Sequence, residues 1–166
     1  MLLFFRRIAS KTDMLINIIS QIHGLPSALQ TASSEVLVGV CELRGKVRHF
    51  SSLSLRFAAI MTRSTPEDWL AYGKILGEVV GVEAKVDGWI ALIKADEFRE
   101  GDCARGLANL IAQFDHLAET AFRRPQLDVP EQQLGLAYSF DCDLDNFAAA
   151  IGFARQAVLG LANEDG

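Results

Sequence analysis

The fold is decided by the stretch from Ser34 to Thr62, which reads SEVLVGVCELRGKVRHFSSLSLRFAAIMT. Its large apolar residues recur at intervals of three or four, at Val36, Val40, Leu43, Val47, Phe50, Leu53, Phe57 and Ile60. Because an α-helix turns once in 3.6 residues, this spacing puts them on one helical face. Ser33 or Ser34 can cap the first turn by accepting a hydrogen bond from a free backbone amide. We therefore predict one long amphipathic helix here.

Four other segments have the same periodicity, and glycine or proline separates them. These predicted helices span residues 2–23, 64–98, 101–122 and 128–161, and a short turn at 27–31 can also be helical. The clearest start signal is Ser64-Thr65-Pro66-Glu67. Either Ser64 caps the helix with Glu67 reaching back, or Thr65 caps it with Pro66 in the first helical position. No segment favours a strand, so we predict an all-α fold, an elongated bundle of about five long helices.

Length and composition are those of a globular protein. The chain has 166 residues, of which 50% are hydrophobic and 22% charged, and a domain of this size buries roughly 70% of its unfolded surface. Since the chain opens directly in a hydrophobic run at Met1, we expect it to be an excerpt of a longer protein. We predict a single helical domain over 1–166, with a division into two lobes, 1–63 and 64–166, as the alternative.

The charges are distributed unevenly. Residues 1–63 carry eight Lys/Arg and three Asp/Glu, a net of +5, whereas residues 64–166 carry eight and eighteen, a net of −10. Either the two parts attract one another within the fold, or each docks on a partner of opposite charge. The basic part has no Lys/Arg cluster interleaved with aromatic residues, so nucleic-acid binding is not expected. No signal peptide or apolar run of about 18 residues is present, so no membrane association is expected.

A row of glycines is a candidate partner or packing surface. Gly73, Gly77 and Gly81 fall four apart, and therefore on one face of the predicted helix 64–98. Each costs up to about 1 kcal/mol relative to alanine inside a helix. Such a row indicates close approach by another helix, from the same chain or a second copy, or simple tolerance in a well-packed helix.

The sequence contains no recognisable catalytic or cofactor motif. No phosphate-binding loop, dinucleotide fingerprint, nucleophile elbow or zinc-protease motif occurs, so we predict no enzymatic activity and no cofactor. The cysteines form no CxxC pair, and we expect them to be reduced core residues of an intracellular protein: Cys41, Cys103 and Cys142. The histidines lie on different predicted helices without metal-ligand spacing: His23, His49 and His116.

One acidic pattern imitates a calcium loop. Asp141, Asp143 and Asp145 alternate as the first ligands of such a loop do. The sixth and twelfth positions of that loop require Gly and Glu, whereas this chain has Asn146 and Gly152. We therefore predict a hinge or a solvated acidic group, and no metal site.

Two stretches carry a family resemblance. Residues 86–98 read VDGWIALIKADEF, and a later helix contains Phe-Asp-His-Leu-Ala-Glu at 114–119. This succession resembles the intercoiled region of the largest dynactin subunits, the Glued family, in which a Lys-x-Asp-x-hydrophobic helix end leads into a helix with an aromatic-rich end and Leu-Ala-Glu. The opening is also similar, with the apolar run 2–5 before Arg6 and Arg7.

The resemblance implies a helical domain between two coiled coils of a dimeric subunit of dynactin, the activator of the microtubule motor cytoplasmic dynein. It implies a cytoplasmic, cytoskeleton-associated scaffold. Its partners would be other dynactin subunits, dynein or its adaptors, and a homodimer would form in the full-length chain. The alternative is a helical adaptor of another eukaryotic trafficking or tethering complex. In either case we predict contact surfaces at exposed charges: Arg6, Arg7, Arg123, Arg124, and the acidic group Asp141, Asp143 and Asp145.

Overall fold

The computed structural model describes residues 1–31, 34–121 and 128–164, and in these ranges it contains helices and no strand. The helices are α1 (Leu2–Ile22), α2 (Ser27–Thr31), α3 (Glu35–Arg63), α4 (Pro66–Val79), α5 (Val82–Lys94), α6 (Glu100–Ala121) and α7 (Val129–Glu164). With 89% of the structure helical, the predicted all-α fold is confirmed. None of the described helices combines the length and apolarity needed to cross a membrane.

Helix α3 is the central element, because α1, α6 and α7 all pack against it. Its cap is one of the two predicted candidates: the Ser34 hydroxyl accepts a hydrogen bond from the Leu37 amide at 3.2 Å. The apolar face predicted from the sequence is buried from Val40 to Ile60, whereas Val36 is 64% exposed. The periodicity of α3 therefore predicted which side of this helix forms the core.

The prediction of one continuous helix over 64–98 is wrong. The chain forms two helices, α4 and α5, with Val80 and Gly81 between them. Glycines at 77 and 81 weaken the helical conformation there, and the two halves pack on different neighbours, α4 on α6 and α5 on α1. The start of α4 follows the second of the two predicted alternatives, with Thr65 as cap and Pro66 in the first turn. Asp68 completes the capping box, in place of Glu67.

The core is organised around four phenylalanines from three helices. The ring of Phe114, on α6, stacks on that of Phe57 with 5.0 Å between centroids and 4° between planes. It also meets Phe50 edge-on at 4.9 Å and Phe5, on α1, at 5.9 Å. All four side chains are at most 1% exposed. This cluster joins residues from both 1–63 and 64–166 in one core.

Candidate interaction surfaces

Ion pairs connect the basic part of the chain to the acidic part. Five cations from 1–63 pair with five carboxylates from 64–166, and we call this set the ion-pair seam. Its cations are Arg7, Lys11, Arg44, Arg56 and Arg63, and its carboxylates are Glu83, Asp87, Asp128, Glu131 and Asp145. The first interpretation of the charge asymmetry, attraction within the fold, is therefore confirmed.

One end of the seam joins α1 to α5. The Arg7 guanidinium donates two hydrogen bonds to the Glu83 carboxylate, at 3.1 and 3.0 Å, and Lys11 lies 2.8 Å from Glu83 and 2.7 Å from Asp87. The hydrogen bond from Arg7, and to a smaller extent the one from Lys11, lowers the pKa of Glu83. The hydrogen bond that Lys11 donates to Asp87, and to a smaller extent the one to Glu83, raises the pKa of Lys11. Glu83 pairs with Arg7 and Lys11 of α1 and thus fixes α5 against α1.

The other end of the seam joins α3 to α7. Arg44 reaches Asp145 at 2.7 Å, and Arg56 reaches Asp128 at 2.6 Å. The Arg63 guanidinium binds both oxygens of the Glu131 carboxylate, at 2.8 and 2.9 Å, and thereby lowers the pKa of that carboxyl group. Since the carboxylates span 128–145, three ion pairs hold the first half of α7 in register on α3.

The predicted contact charges consequently have different roles. Arg7 and Asp145 are members of the ion-pair seam. Arg6 is exposed and has no ion pair among the described residues, and Asp141 and Asp143 are exposed on α7. All three aspartates of the acidic group lie in the middle of the continuous helix α7, not in a loop. Arg123 and Arg124 lie outside the described residues.

The helix face that carries the predicted glycine row is exposed to solvent. Gly73, Gly77 and Gly81 are exposed, and a Cβ atom added at any of them would meet no atom of the described chain within 4 Å. Within the described part of the chain, no helix approaches this face closely. Whether a second copy does so remains a prediction.

Two other glycines do sit at close contacts, and sequence reasoning missed both. A Cβ at Gly106 would lie 2.6 Å from the Trp89 ring, and one at Gly135 would overlap the Ser52 hydroxyl and lie 2.9 Å from the Ser52 Cβ. Neither belongs to a row of glycines four apart, the regular spacing that drew attention to the other three. Gly135 allows α7 to lie directly against α3.

Gly135→Ala should lower the free energy of unfolding by about 1–3 kcal/mol, as overpacking does. The physical reason is the contact with Ser52, which leaves no room for a methyl group. Gly88→Ala is the matched control, because a Cβ there meets open space, and it should raise stability by up to about 1 kcal/mol through helix propensity. Urea unfolding measures both.

The cause can be checked with a second site. Ser52→Gly carries the cost of a glycine inside α3, but it should lose less stability in the Gly135→Ala background than in the wild-type chain, because there it also removes the overlap. If Ser52→Gly costs the same in both backgrounds, close packing of α7 on α3 is not the reason for the glycine at position 135.

The cysteines are buried, as predicted from their sequence context. Burial raises the pKa of the Cys41 and Cys142 thiols and raises that of Cys103 to about 12. Thiolate is the reactive form of cysteine, so these side chains are inert at neutral pH. The described residues contain no cluster of His, Cys, Asp and Glu able to hold a metal ion.

The seven helices of the described residues pack together through one aromatic core and an ion-pair seam, and they define an α-helical bundle protein. The family model of dynactin, described as dynein associated protein, matches residues 1–165. The chain therefore belongs to the dynactin family of dynein-associated proteins, and the resemblance found in two stretches extends over almost its whole length. No solved structure matches it.

Proposed function

We propose that the chain is a non-enzymatic scaffold and interaction domain of the large dynactin subunit, supporting dynein-dependent transport along microtubules. The match of the dynactin family over residues 1–165 carries this proposal. The expected setting is the cytoplasm, in association with the cytoskeleton. The expected partners are other dynactin subunits, dynein or its adaptors, and a second copy of the full-length chain.

The architecture supports a scaffold. The aromatic cluster joins both parts of the chain, and we therefore propose one domain over 1–166. A cleft of about 620 Å³ lies where α5 meets α6, lined among others by Trp89, Phe98 and Cys103. Its cysteine is held as a thiol by burial, with a pKa of about 12, and an unionised thiol is a poor nucleophile. Cys103 is therefore not an activated nucleophile, which fits the proposed contact function of this domain.

Capture from cell extract tests the proposal. The tagged 166-residue chain should retain dynactin and dynein subunits, identified by mass spectrometry and blotting. Within that assay, Asp141→Lys with Asp143→Lys should reduce capture if the exposed acidic group is the contact, because neither residue is in the ion-pair seam. Asp115→Lys with Glu119→Lys is the matched control, since these residues are equally exposed on α6.

Two results would go against the assignment. Recovery of a trafficking or tethering complex without any dynein or dynactin component would replace it by the alternative adaptor function. Unchanged capture by the Asp141 and Asp143 variant, with normal thermal stability, would remove only the acidic group as the contact surface.

A further inference from the structure

Helix α7 has a second apolar face that points away from the bundle. On its inner side Cys142 and Ala149 are buried, and Arg48 lies over the Tyr138 ring at 4.9 Å from its centroid. On the opposite side, large apolar residues recur at helical spacing and are each between 51% and 69% exposed. We call these residues the α7 outer face: Leu136, Phe140, Leu144, Phe147, Ile151, Val158 and Leu161.

The size of this face is that of a protein interface. A fully exposed aromatic side chain presents roughly 200 Å² and an aliphatic one less, so with their exposed fractions these seven present at most about 900 Å². The largest apolar patch on a typical monomer covers about 300–600 Å². A stable protein interface buries about 800 Å² on each partner. The α7 outer face is therefore large enough to account for a complete interface by itself.

We propose that a second copy of this chain covers the α7 outer face, with the two α7 helices antiparallel. From Phe140 to Leu161 the apolar positions, with Ala154 included, are separated by four, three, four, three, four and three residues. This is the alternation that brings two helices together as a coiled coil. In a dimer with a two-fold axis both copies use the same surface. One apolar face on each chain is therefore enough to form the interface.

Side-chain volumes favour the antiparallel alignment. When Phe147 faces Ile151 of the second copy, the same register sets Phe140 opposite Val158 and Leu144 opposite Ala154. Each layer then combines a larger side chain with a smaller one, as close packing requires. In a parallel pair every residue would face its own equivalent, so two layers would contain paired phenylalanines and another would contain only paired alanines.

The charges beside the outer face favour the same alignment. Asp141 and Arg155 lie on the same flank of α7, fourteen residues apart, and both are exposed. In the antiparallel register Asp141 lies beside Arg155 of the second copy, and the two-fold axis creates this pair twice. In a parallel pair these positions would be separated along the helices by about 21 Å. Only the antiparallel alignment therefore joins the two opposite charges.

Sedimentation of the 166-residue chain over a range of concentrations tests the pairing, and we expect a concentration-dependent dimer. Phe147→Asp with Ile151→Asp should raise the dissociation constant at least tenfold, because two central hydrophobic layers are lost. Both side chains are more than 60% exposed in the single chain, so circular dichroism of the variant at low concentration should remain that of the folded bundle. Leu70→Asp is the control: Leu70 is 83% exposed on α4, and its replacement should leave the dimer intact.

The alignment is tested by exchanging charges. Asp141→Arg and Arg155→Asp should each weaken the dimer severalfold, since each places like charges side by side, and the two together should restore it. Failure of the double exchange to restore the dimer would overturn the antiparallel alignment. A wild-type chain that stays monomeric, or one that binds a basic amphipathic helix in place of its own copy, would overturn the pairing.

This inference deepens one part of the proposed function, the homodimer, by naming its surface and direction, and it rests on that part alone. Capture of dynein or dynactin subunits by a strictly monomeric chain would reject the pairing and leave the family-based function standing. A dimer that captures neither dynein nor dynactin subunits would leave the pairing standing and reject the family-based function.

Discussion

Phe114→Ala should lower the free energy of unfolding by about 3–5 kcal/mol, as truncation of a buried phenylalanine does. The ring of Phe114 touches three other aromatic rings, stacked on Phe57 and edge-on to Phe50 and Phe5. Its removal leaves a cavity where α1, α3 and α6 meet. Since small proteins are stable by only about 5–15 kcal/mol, this is the largest effect we expect from one substitution.

Guanidinium unfolding, followed by circular dichroism, measures this loss. Phe114→Leu keeps most of the apolar volume and should retain more stability than Phe114→Ala. Leu70→Ala is the surface control and should change stability by no more than about 0.5 kcal/mol, because Leu70 is 83% exposed. If Phe114→Ala costs no more than Leu70→Ala, the aromatic cluster is not the centre of the core.

The sequence predicted the position of α3 in this core because a single apolar face left only one way to bury it. It could not do so for α7, whose apolar residues occur on two sides. Tyr138 and Phe140 both fit a helical period, yet Tyr138 packs towards Arg48 on α3 whereas Phe140 points to solvent. A helical period defines a face but does not state which neighbour, if any, the face meets.

The charge asymmetry, like the apolar periodicity, did not identify which residues come into contact. Attraction between the two parts of the chain was one of its two interpretations, but the asymmetry could not name the pairs, because the partners in the ion-pair seam are 68 to 101 residues apart. Sequence spacing identifies ion pairs only within a helix, at three or four residues. The glycine row is limited for a related reason, because regular spacing at Gly73, Gly77 and Gly81 shows that they share a face and not what approaches it. The close contact at Gly135 depends on Ser52, in another helix.

Arg56→Met should destabilise the chain by about 3 kcal/mol, because it leaves a buried carboxylate without its partner. Asp128 is only 1% exposed, and its Oδ2 accepts a hydrogen bond from the Arg56 Nε at 2.6 Å. Asp128→Asn should cost less, about 1–2 kcal/mol, since the Arg56 side chain is 27% exposed and water can solvate its charge. Lys46→Met is the surface control: Lys46 pairs with Glu42 four residues earlier, and its loss should cost about 0.5 kcal/mol or less.

A double-mutant cycle in urea separates the pair from its surroundings. The chain carrying both Arg56→Met and Asp128→Asn should be more stable than the sum of the single losses predicts, because no buried carboxylate remains unpaired. Strict additivity would mean that Arg56 and Asp128 act independently, and that their short contact does not hold the beginning of α7. Because Asp128 immediately precedes Val129, the coupling energy measures how firmly α3 fixes the start of the helix that carries the α7 outer face.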